Sequence, residues 1–163
     1  MNDLILVRFE TALRVHLKED RSLIRRCTNE QTLTASLACA LRTQFPDYHV
    51  DVEYNRNMDE MKRLKTNSGP VKNSKPDIIV HTRESNDDNK LVIEAKGHWN
   101  SETWDADKSR IEAFACSPYN FSVGIVLMYH EPTATEYRCE YQTYMNGVWS
   151  DSHEVVMPNP STG

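Results

Sequence analysis

The sequence lacks the long apolar run that a membrane-spanning helix requires. Such a helix takes about 20 consecutive apolar residues, and no run in this chain approaches that length. The opening segment, MNDLILVRFE, has only a short apolar patch, with an acid before it and no cleavage-site pattern after it. This pattern is typical of the start of a helix rather than of a signal peptide. We therefore expect a cytoplasmic location by default.

Closely spaced cysteine and histidine pairs are also missing. The chain has four cysteines and six histidines, with no Cys-x-x-Cys pair. A structural zinc site needs such pairs at short spacing, so the sequence argues against one. We expect the cysteines to be reduced and half-buried, and to pack as small hydrophobic residues. They are Cys27, Cys39, Cys116 and Cys139.

Glycine motifs and recognition motifs are scarce as well. The chain has five glycines, and none belongs to a P-loop, a Rossmann fingerprint or a Gly-x-Ser-x-Gly elbow. The sequence therefore gives no support to a small-molecule hydrolase built on an α/β sheet. No segment resembles a helix-turn-helix or a zinc finger, so nothing visible would carry sequence-specific recognition of nucleic acid.

The chain also lacks an excess of basic residues, since its net charge is -5. Proteins that bind nucleic acid non-specifically usually have such an excess. Two local clusters run against this average. One lies within 56–75 and contains Arg56, Lys62, Arg63, Lys65, Lys72 and Lys75; the other contains Arg21, Arg25 and Arg26. Each is either a phosphate-facing patch or an ordinary solvated surface, and the sequence leaves both interpretations open.

The periodicity of apolar residues predicts an ordered succession of helices and strands. Helices are expected at 3–19, after a capping box at 28–31 up to Pro46, and at 101–116. Strands are expected at 48–54, 75–82, 90–97 and 121–129, followed by a hairpin around Asn146-Gly147. Residues 55–75 are expected to form a long loop with a short helix near 58–64.

This succession predicts an α/β chain of the α+β type, in which helices cover a mixed sheet. The 163 residues suit one domain with a sizeable core. We assign that domain to residues 1–157 and expect 158–163 to be a flexible tail.

Three charged residues stand inside two strand-like segments, KPDIIVHT and KLVIEAKG. Side chains alternate along a strand, so Glu94 and Lys96 share one face. A hairpin centred on the 86–87 step places Asp77 opposite Lys96 and Ile79 opposite Glu94. The three charges then converge at one end of the hairpin, and a one-residue slip would scatter them.

Two carboxylates and an ammonium in a partly buried patch are costly unless a partner satisfies them. The acids repel each other unless a cation lies between them. Mg²⁺ suits the site, because it takes oxygen ligands from one or two carboxylates together with substrate phosphates. The carbonyl of Ala95 would add a ligand, the ion would polarise a phosphodiester, and Lys96 would orient the attacking water or neutralise developing charge.

The alternative is an ordinary Glu–Lys decoration on the solvent side of an antiparallel hairpin. Two apolar residues, Ile79 and Val92, share the charged face, which is unlike a plain solvent-facing side. Gly97 follows Lys96 directly, at a point where backbone can approach a ligand closely. These features favour a functional site over a surface pair.

Pro76-Asp77 followed by Glu94-Ala95-Lys96 resembles the signature of the PD-(D/E)XK nuclease superfamily, and the resemblance covers roughly residues 28–129. It implies a restriction-endonuclease-like core of helix, three-strand meander, helix and strand, to which this sequence adds a C-terminal β-hairpin. It also implies that Asp77 and Glu94 bind Mg²⁺, with Mn²⁺ able to substitute, and that Lys96 assists hydrolysis. Glu30 matches an additional acid from the preceding helix, although an acid there also offsets the helix dipole.

The resemblance implies a Mg²⁺-dependent nuclease that hydrolyses phosphodiester bonds in nucleic acid, with DNA favoured over RNA. The alternative is a catalytically inactive nuclease-fold binding or scaffold module, and either form is compatible with a homodimer. The residues expected to contact substrate are Arg56, Lys62, Lys65, Lys75 and His98. Several other polar residues are expected to be surface charges or supporting groups, namely His49, Asp51, Glu53, Asp107 and Lys108, and Trp99 is expected to pack.

Overall fold

The structure is a computed structural model that describes residues 2–54, 56–57, 60–61, 63–66, 69–72 and 75–159, with side chains described outside 55–74. The helices are α1 (Asn2–Glu19), α2 (Arg21–Arg25), α3 (Glu30–Gln44) and α4 (Asp105–Ala115). The strands are β1 (His49–Val52), β2 (Arg56–Asn57), β3 (Glu60–Met61), β4 (Arg63–Thr66), β5 (Gly69–Lys72), β6 (Ile78–His81), β7 (Leu91–Gly97), β8 (Val123–Tyr129), β9 (Glu136–Met145), β10 (Val148–Trp149) and β11 (His153–Pro158). Across these ranges no helix combines the length and the apolar character that a bilayer crossing demands.

The helix that precedes the sheet, α3, begins one residue later than the predicted capping box. Asn29 is the N-cap, and its side-chain oxygen accepts a hydrogen bond from the Thr32 N–H at 2.8 Å. The Thr28 hydroxyl instead donates to the Leu23 carbonyl at 2.9 Å. Asparagine is among the strongest N-cap residues, so it takes the capping position from its threonine neighbour.

A seven-stranded mixed sheet forms the centre of the molecule. Its order is β1-β6-β7-β8-β9, and β10 and β11 both pair with β9. The only parallel pair in this sheet joins β7 to β8, because α4 carries the chain back between them. The prediction of a mixed α/β sheet is confirmed at this level.

The segment between β1 and β6 differs from its prediction. Its described residues form two short antiparallel pairs, β2 with β3 and β4 with β5. The expected helix near 58–64 is therefore wrong for residues 60–61 and 63–64, which are strand, while 58–59 and 62 lie outside the described residues.

The two faces of the sheet bury different groups of residues. One face packs against α1 and α3 and contains Val80, Ile93 and Leu127. The other packs against α4 and contains Ile79 and Val92. Glu94 and Lys96 alternate with the residues of the first face, so they lie on the α4 side. They therefore share a face with Ile79 and Val92, as the sequence predicted.

The C-terminal hairpin is confirmed, and the strand that follows it is an addition. Asn146 and Gly147 have φ values of 52° and 82°, as a type I′ turn requires. The chain then returns as β11, in which Pro158 pairs with Glu136. The expectation of a flexible tail is therefore wrong for residues 158 and 159, since the Asn159 N–H also donates to the Thr135 carbonyl at 2.7 Å; residues 160–163 lie outside the described part.

The cysteines depart from their prediction. All four are free thiols, but Cys27, Cys39 and Cys116 are exposed and only Cys139 is buried. The expectation of half-buried cysteines is wrong for the exposed three, which lie at the ends or on the outer faces of helices.

Candidate active site

The hairpin of β6 and β7 brings Asp77 beside Glu94 rather than opposite Lys96. Ile78 pairs with Ile93, so the observed register differs by two residues from the predicted one. The pairing is centred on the 85–86 step instead of the predicted 86–87 step. An even shift keeps every side chain on its face, so the three charges still share one surface.

Asp77 lies at the start of β6 and is bound to the backbone of the next strand. Its Oδ2 accepts a hydrogen bond from the Ala95 N–H at 2.8 Å. Burial raises the pKa of Asp77 to about 6, and the negative charges of Glu30 and Asp107 add to the effect. The Ala95 N–H and the Arg110 guanidinium act in the opposite direction without cancelling it.

Glu94 is a fully engaged, buried carboxylate in the middle of β7. Only 4% of the residue is exposed. Arg110 binds both oxygens, with Nε 3.1 Å from Oε1 and Nη2 3.1 Å from Oε2. Burial nevertheless raises the pKa of Glu94 to about 8, since the charge on Asp77 adds to the cost of ionisation and Arg110 compensates only in part.

Lys96 is held in place by acids from the segment that follows it. Its Nζ lies 2.8 Å from Asp107 Oδ2 and 3.3 Å from Glu102 Oε2, and it donates to the Thr103 carbonyl at 3.3 Å. Burial alone would lower the pKa of Lys96, but the ion pair with Asp107 outweighs burial and raises it. Lys96 therefore remains a protonated ammonium at neutral pH.

Two residues of α4 complete the cluster, and sequence reasoning misjudged both. Asp107 was expected on the helix surface, yet it is 3% exposed and is paired with Lys96 and Arg110. Arg110 was not considered. The available signal was the three-residue spacing of the pair, which places both on the helix face that also presents Ile111 and Phe114 to the sheet.

Lys108 lies away from this cluster, as predicted for a helix-surface charge. Its Nζ is 5.8 Å from the centre of the Trp104 ring and 5.1 Å from that of Trp149. These are distances at which an ammonium is attracted to an aromatic face. Lys108 therefore stabilises the packing of α4 through these two rings.

Glu30, in the first turn of α3, reaches the end of β7. Its Oε1 accepts hydrogen bonds from the Gly97 N–H at 3.2 Å and from Asn100 Nδ2 at 3.0 Å. The structure thus brings Glu30 to the carboxyl end of the strand that carries Glu94 and Lys96. It joins the candidate site at its edge, and its location in the first turn also suits the helix dipole.

The packing of a neighbouring aromatic ring explains why a glycine follows Lys96. A Cβ built on Gly97 would lie 2.3 Å from Cζ2 of the Trp99 ring. The indole occupies the space that the missing side chain leaves. Trp99 packs as predicted, and its ring fills the space beside Gly97.

Of the residues predicted to contact substrate, only two have described side chains. His98 Nε2 lies 3.4 Å from the Cys27 sulfur, and Lys75 Nζ lies 4.0 Å from Glu53 Oε2. Arg56 belongs to β2 and Lys65 to β4, both with backbone descriptions only, and Lys62 lies outside the described residues.

Two acids of the β1 region are engaged elsewhere. Asp51 accepts hydrogen bonds from Arg83 and His81, each at 2.9 Å. Burial opposes ionisation of Asp51, but these partners outweigh it and lower its pKa to about 2. Glu53 accepts a hydrogen bond from Gln31 at 2.6 Å. Both acids therefore form their own local contacts beside the candidate site.

The cluster as a whole carries more negative than positive charge. Its acids are Glu30, Asp77, Glu94 and Asp107, and its bases are Lys96 and Arg110. Among the residues with described positions, no group of three or more histidines, cysteines or acids is arranged to hold a metal ion by itself. Comparison with known proteins finds no matching family model, curated protein or solved structure. The arrangement is therefore that of a mixed α/β protein with a buried acid-rich cluster on one face of its sheet.

Proposed function

We propose that the chain is a Mg²⁺-dependent nuclease with a restriction-endonuclease-like core, acting on DNA ahead of RNA. The observation that supports this proposal is the convergence of Asp77, Glu94 and Lys96 on one face of neighbouring strands. Ionising these acids in a buried site is costly, and the raised pKa values of Asp77 and Glu94 express that cost. A divalent cation from solution would relieve it.

The donor set suits Mg²⁺, which is commonly held by one or two carboxylates together with substrate phosphates. Asp77 and Glu94 would supply the carboxylates. The Ala95 N–H points towards Asp77, and in a strand the carbonyl of a residue faces the same neighbour as its N–H. The Ala95 carbonyl is thus directed to the same edge. When bound, Mg²⁺ supplies a Lewis acid for the phosphodiester and a bound water of lowered pKa.

The bases of the cluster have separate tasks. The raised pKa of Lys96 keeps its ammonium protonated, so Lys96 suits the neutralisation of charge that develops on the phosphoryl oxygens. Arg110 holds the Glu94 carboxylate by two parallel hydrogen bonds, which fixes its orientation. Asp107 fixes both bases in turn, since it pairs with each of them.

A second candidate function is a catalytically inactive nuclease-fold binding or scaffold module. One observation favours it: Glu94, Lys96 and Asp107 all have charged partners inside the cluster. These pairs satisfy much of the charge without any ligand, so the cluster is also consistent with a structural role.

A cleavage assay separates the two functions. Duplex DNA, single-stranded DNA and RNA are incubated with the protein in Mg²⁺, Mn²⁺ or EDTA. We expect cleavage with either metal and none in EDTA, and a loss of about 10²-fold or more in Lys96→Ala. Lys108→Ala is the matched control, because it removes a lysine that lies outside the cluster, and it is expected to retain activity.

Each outcome assigns a function. Cleavage that is equal in wild type and Lys96→Ala would come from a contaminant and would contradict the catalytic assignment. Binding of nucleic acid without cleavage in any metal would favour the binding module. Sedimentation of the intact chain, alone and with substrate, checks the expected homodimer.

A further inference from the structure

A basic surface lies around α2, outside the candidate active site. A cleft of about 420 Å³ is lined there by Arg21, Arg25 and Arg26, together with Glu19, Ser22 and Tyr137. Three arginines against one glutamate give this cleft a positive charge in a chain whose net charge is -5. We call these three arginines the α2 arginine surface.

Within the part of the chain that the structure describes, no ion pair neutralises the charges of this surface. Throughout the described residues, every arginine–carboxylate pair within 4 Å involves another arginine, namely Arg83, Arg110 or Arg138. The neighbour of Arg25 is a neutral hydroxyl, since Nη2 donates to the Tyr137 oxygen at 2.8 Å and the guanidinium lies 5.9 Å from the ring centre. These contacts orient Arg25 and leave its charge available.

A second cleft adjoins this surface. This cleft, of about 390 Å³, is lined by Arg25, Cys27, His98, Glu131 and Thr133, among others. Arg25 borders both clefts, and in the second cleft the Cys27 sulfur lies 3.4 Å from His98 Nε2. His98 follows Gly97, whose N–H binds Glu30. The wall of the second cleft therefore includes a residue that lies two positions after Lys96 in the chain.

We propose that the α2 arginine surface binds the phosphate backbone of nucleic acid and guides the strand along the second cleft to the candidate site. This inference rests on the proposed nuclease function. A guanidinium binds phosphate through a planar, bidentate fork. Contacts of this kind position a strand without reading its sequence, which agrees with a chain that has no sequence-reading motif. Binding through this surface also reconciles phosphate recognition with an acidic chain, because the field near a phosphate is local at physiological salt.

The test measures binding separately from cleavage. Fluorescence anisotropy with labelled duplex DNA, single-stranded DNA and RNA is recorded in EDTA, where no turnover is expected, over a range of salt concentrations. The variant Arg21→Gln/Arg26→Gln removes two charges from the surface and leaves Arg25 with Tyr137 in place. The control Arg14→Gln/Arg138→Gln removes the charge of exposed Arg14 and that of half-buried Arg138, which pairs with Glu154. Both variants therefore have the same net charge.

The surface variant is expected to bind about tenfold or more weakly, and its slope of log affinity against log salt is expected to be smaller by about 2 on duplex DNA. The control is expected to match wild type. Equal weakening in both variants would show that only net charge matters and would overturn the proposal, as would a wild-type chain that binds none of the probes. A single Arg26→Gln variant, compared with Arg138→Gln, repeats the test if the double variant melts at a lower temperature.

The result is separate from that of the proposed function. If the surface variant loses binding but wild type cleaves nothing in Mg²⁺ or Mn²⁺, the binding surface stands and the nuclease assignment fails. If wild type cleaves and the surface variant binds normally, the nuclease assignment stands and the surface proposal fails.

Discussion

Asp77→Asn measures how much the negative charge of Asp77 lowers the free energy of unfolding of the metal-free chain. The substitution removes a buried negative charge and keeps an oxygen that can accept the hydrogen bond from the Ala95 N–H. Sites that hold charge for function commonly reduce stability. We therefore expect the metal-free variant to gain stability relative to wild type as the pH rises.

The sign and the size follow from the pKa of Asp77. Its value in the folded chain, about 6, is higher than its ordinary value of 3.8. The folded chain binds the proton more tightly, so the stability contributed by protonated Asp77 is present below pH 3.8 and is lost as the pH rises through about 6. At about 1.36 kcal/mol per pK unit, wild type loses about 2 kcal/mol between pH 4.5 and pH 8 that the uncharged variant does not lose.

Urea unfolding at pH 4.5, 6 and 8 in EDTA measures this difference. Asp151→Asn, at an exposed position, is the control and should show no comparable trend. A free-energy difference between Asp77→Asn and wild type that is the same at every pH would refute the reasoning. Added Mg²⁺ should stabilise wild type and have little effect on Asp77→Asn, because only wild type retains both proposed carboxylate ligands.

Three further predictions concern other parts of the structure. Arg110→Gln removes the cation that pairs with both Glu94 and Asp107 and should lower the free energy of unfolding at pH 8 by about 3–5 kcal/mol; Glu94→Gln in the same chain should restore part of this, and no restoration in urea unfolding would contradict the pairing. Gly124→Ala places a Cβ 2.2 Å from Cγ2 of Ile111 and should cost about 1–3 kcal/mol. Ile111→Leu moves that branch and should relieve the cost, so strictly additive effects on the melting temperature would argue against the contact. His16 is fully buried, and burial lowers its pKa below 6.5, so stability contributed by the neutral ring is lost as the pH falls through 6.5; His16→Asn should remove this component, and a variant profile parallel to that of wild type would contradict it.

The faces of the strands could be predicted from the sequence, whereas their register could not. Alternation alone places Glu94 and Lys96 together, and any even displacement of the hairpin keeps Asp77 with them. The predicted register assumed a hairpin centred on the 86–87 step, whereas the observed pairs are centred on the 85–86 step. In the structure the Asn89 side chain donates to the Tyr119 carbonyl at 2.5 Å. This tertiary contact holds the end of the connection against a loop that is distant in sequence, and no local sequence pattern predicts it.

The two cluster residues of α4 show a different limit. Charged residues on a helix usually face solvent, and Asp107 was assigned accordingly. The apolar pair Ile111 and Phe114 turns that side of α4 onto the sheet, and the residue one turn earlier is carried inward with them. Burial of Asp107 then depends on Lys96 and Arg110 being present at the same point, which is a property of the assembled fold rather than of any single segment.

The position of α4 ties the integrity of the cluster to one secondary-structure element. The described helices on the opposite side, α1 and α3, bury an apolar layer of their own, so that layer can persist while α4 transiently detaches. Such a partial opening would expose Glu94 to water and separate Lys96 from its acidic partner, although most of the sheet would remain paired. The rate of amide exchange in 105–115 should therefore show how often the charged cluster under α4 is intact, which the global melting temperature does not show.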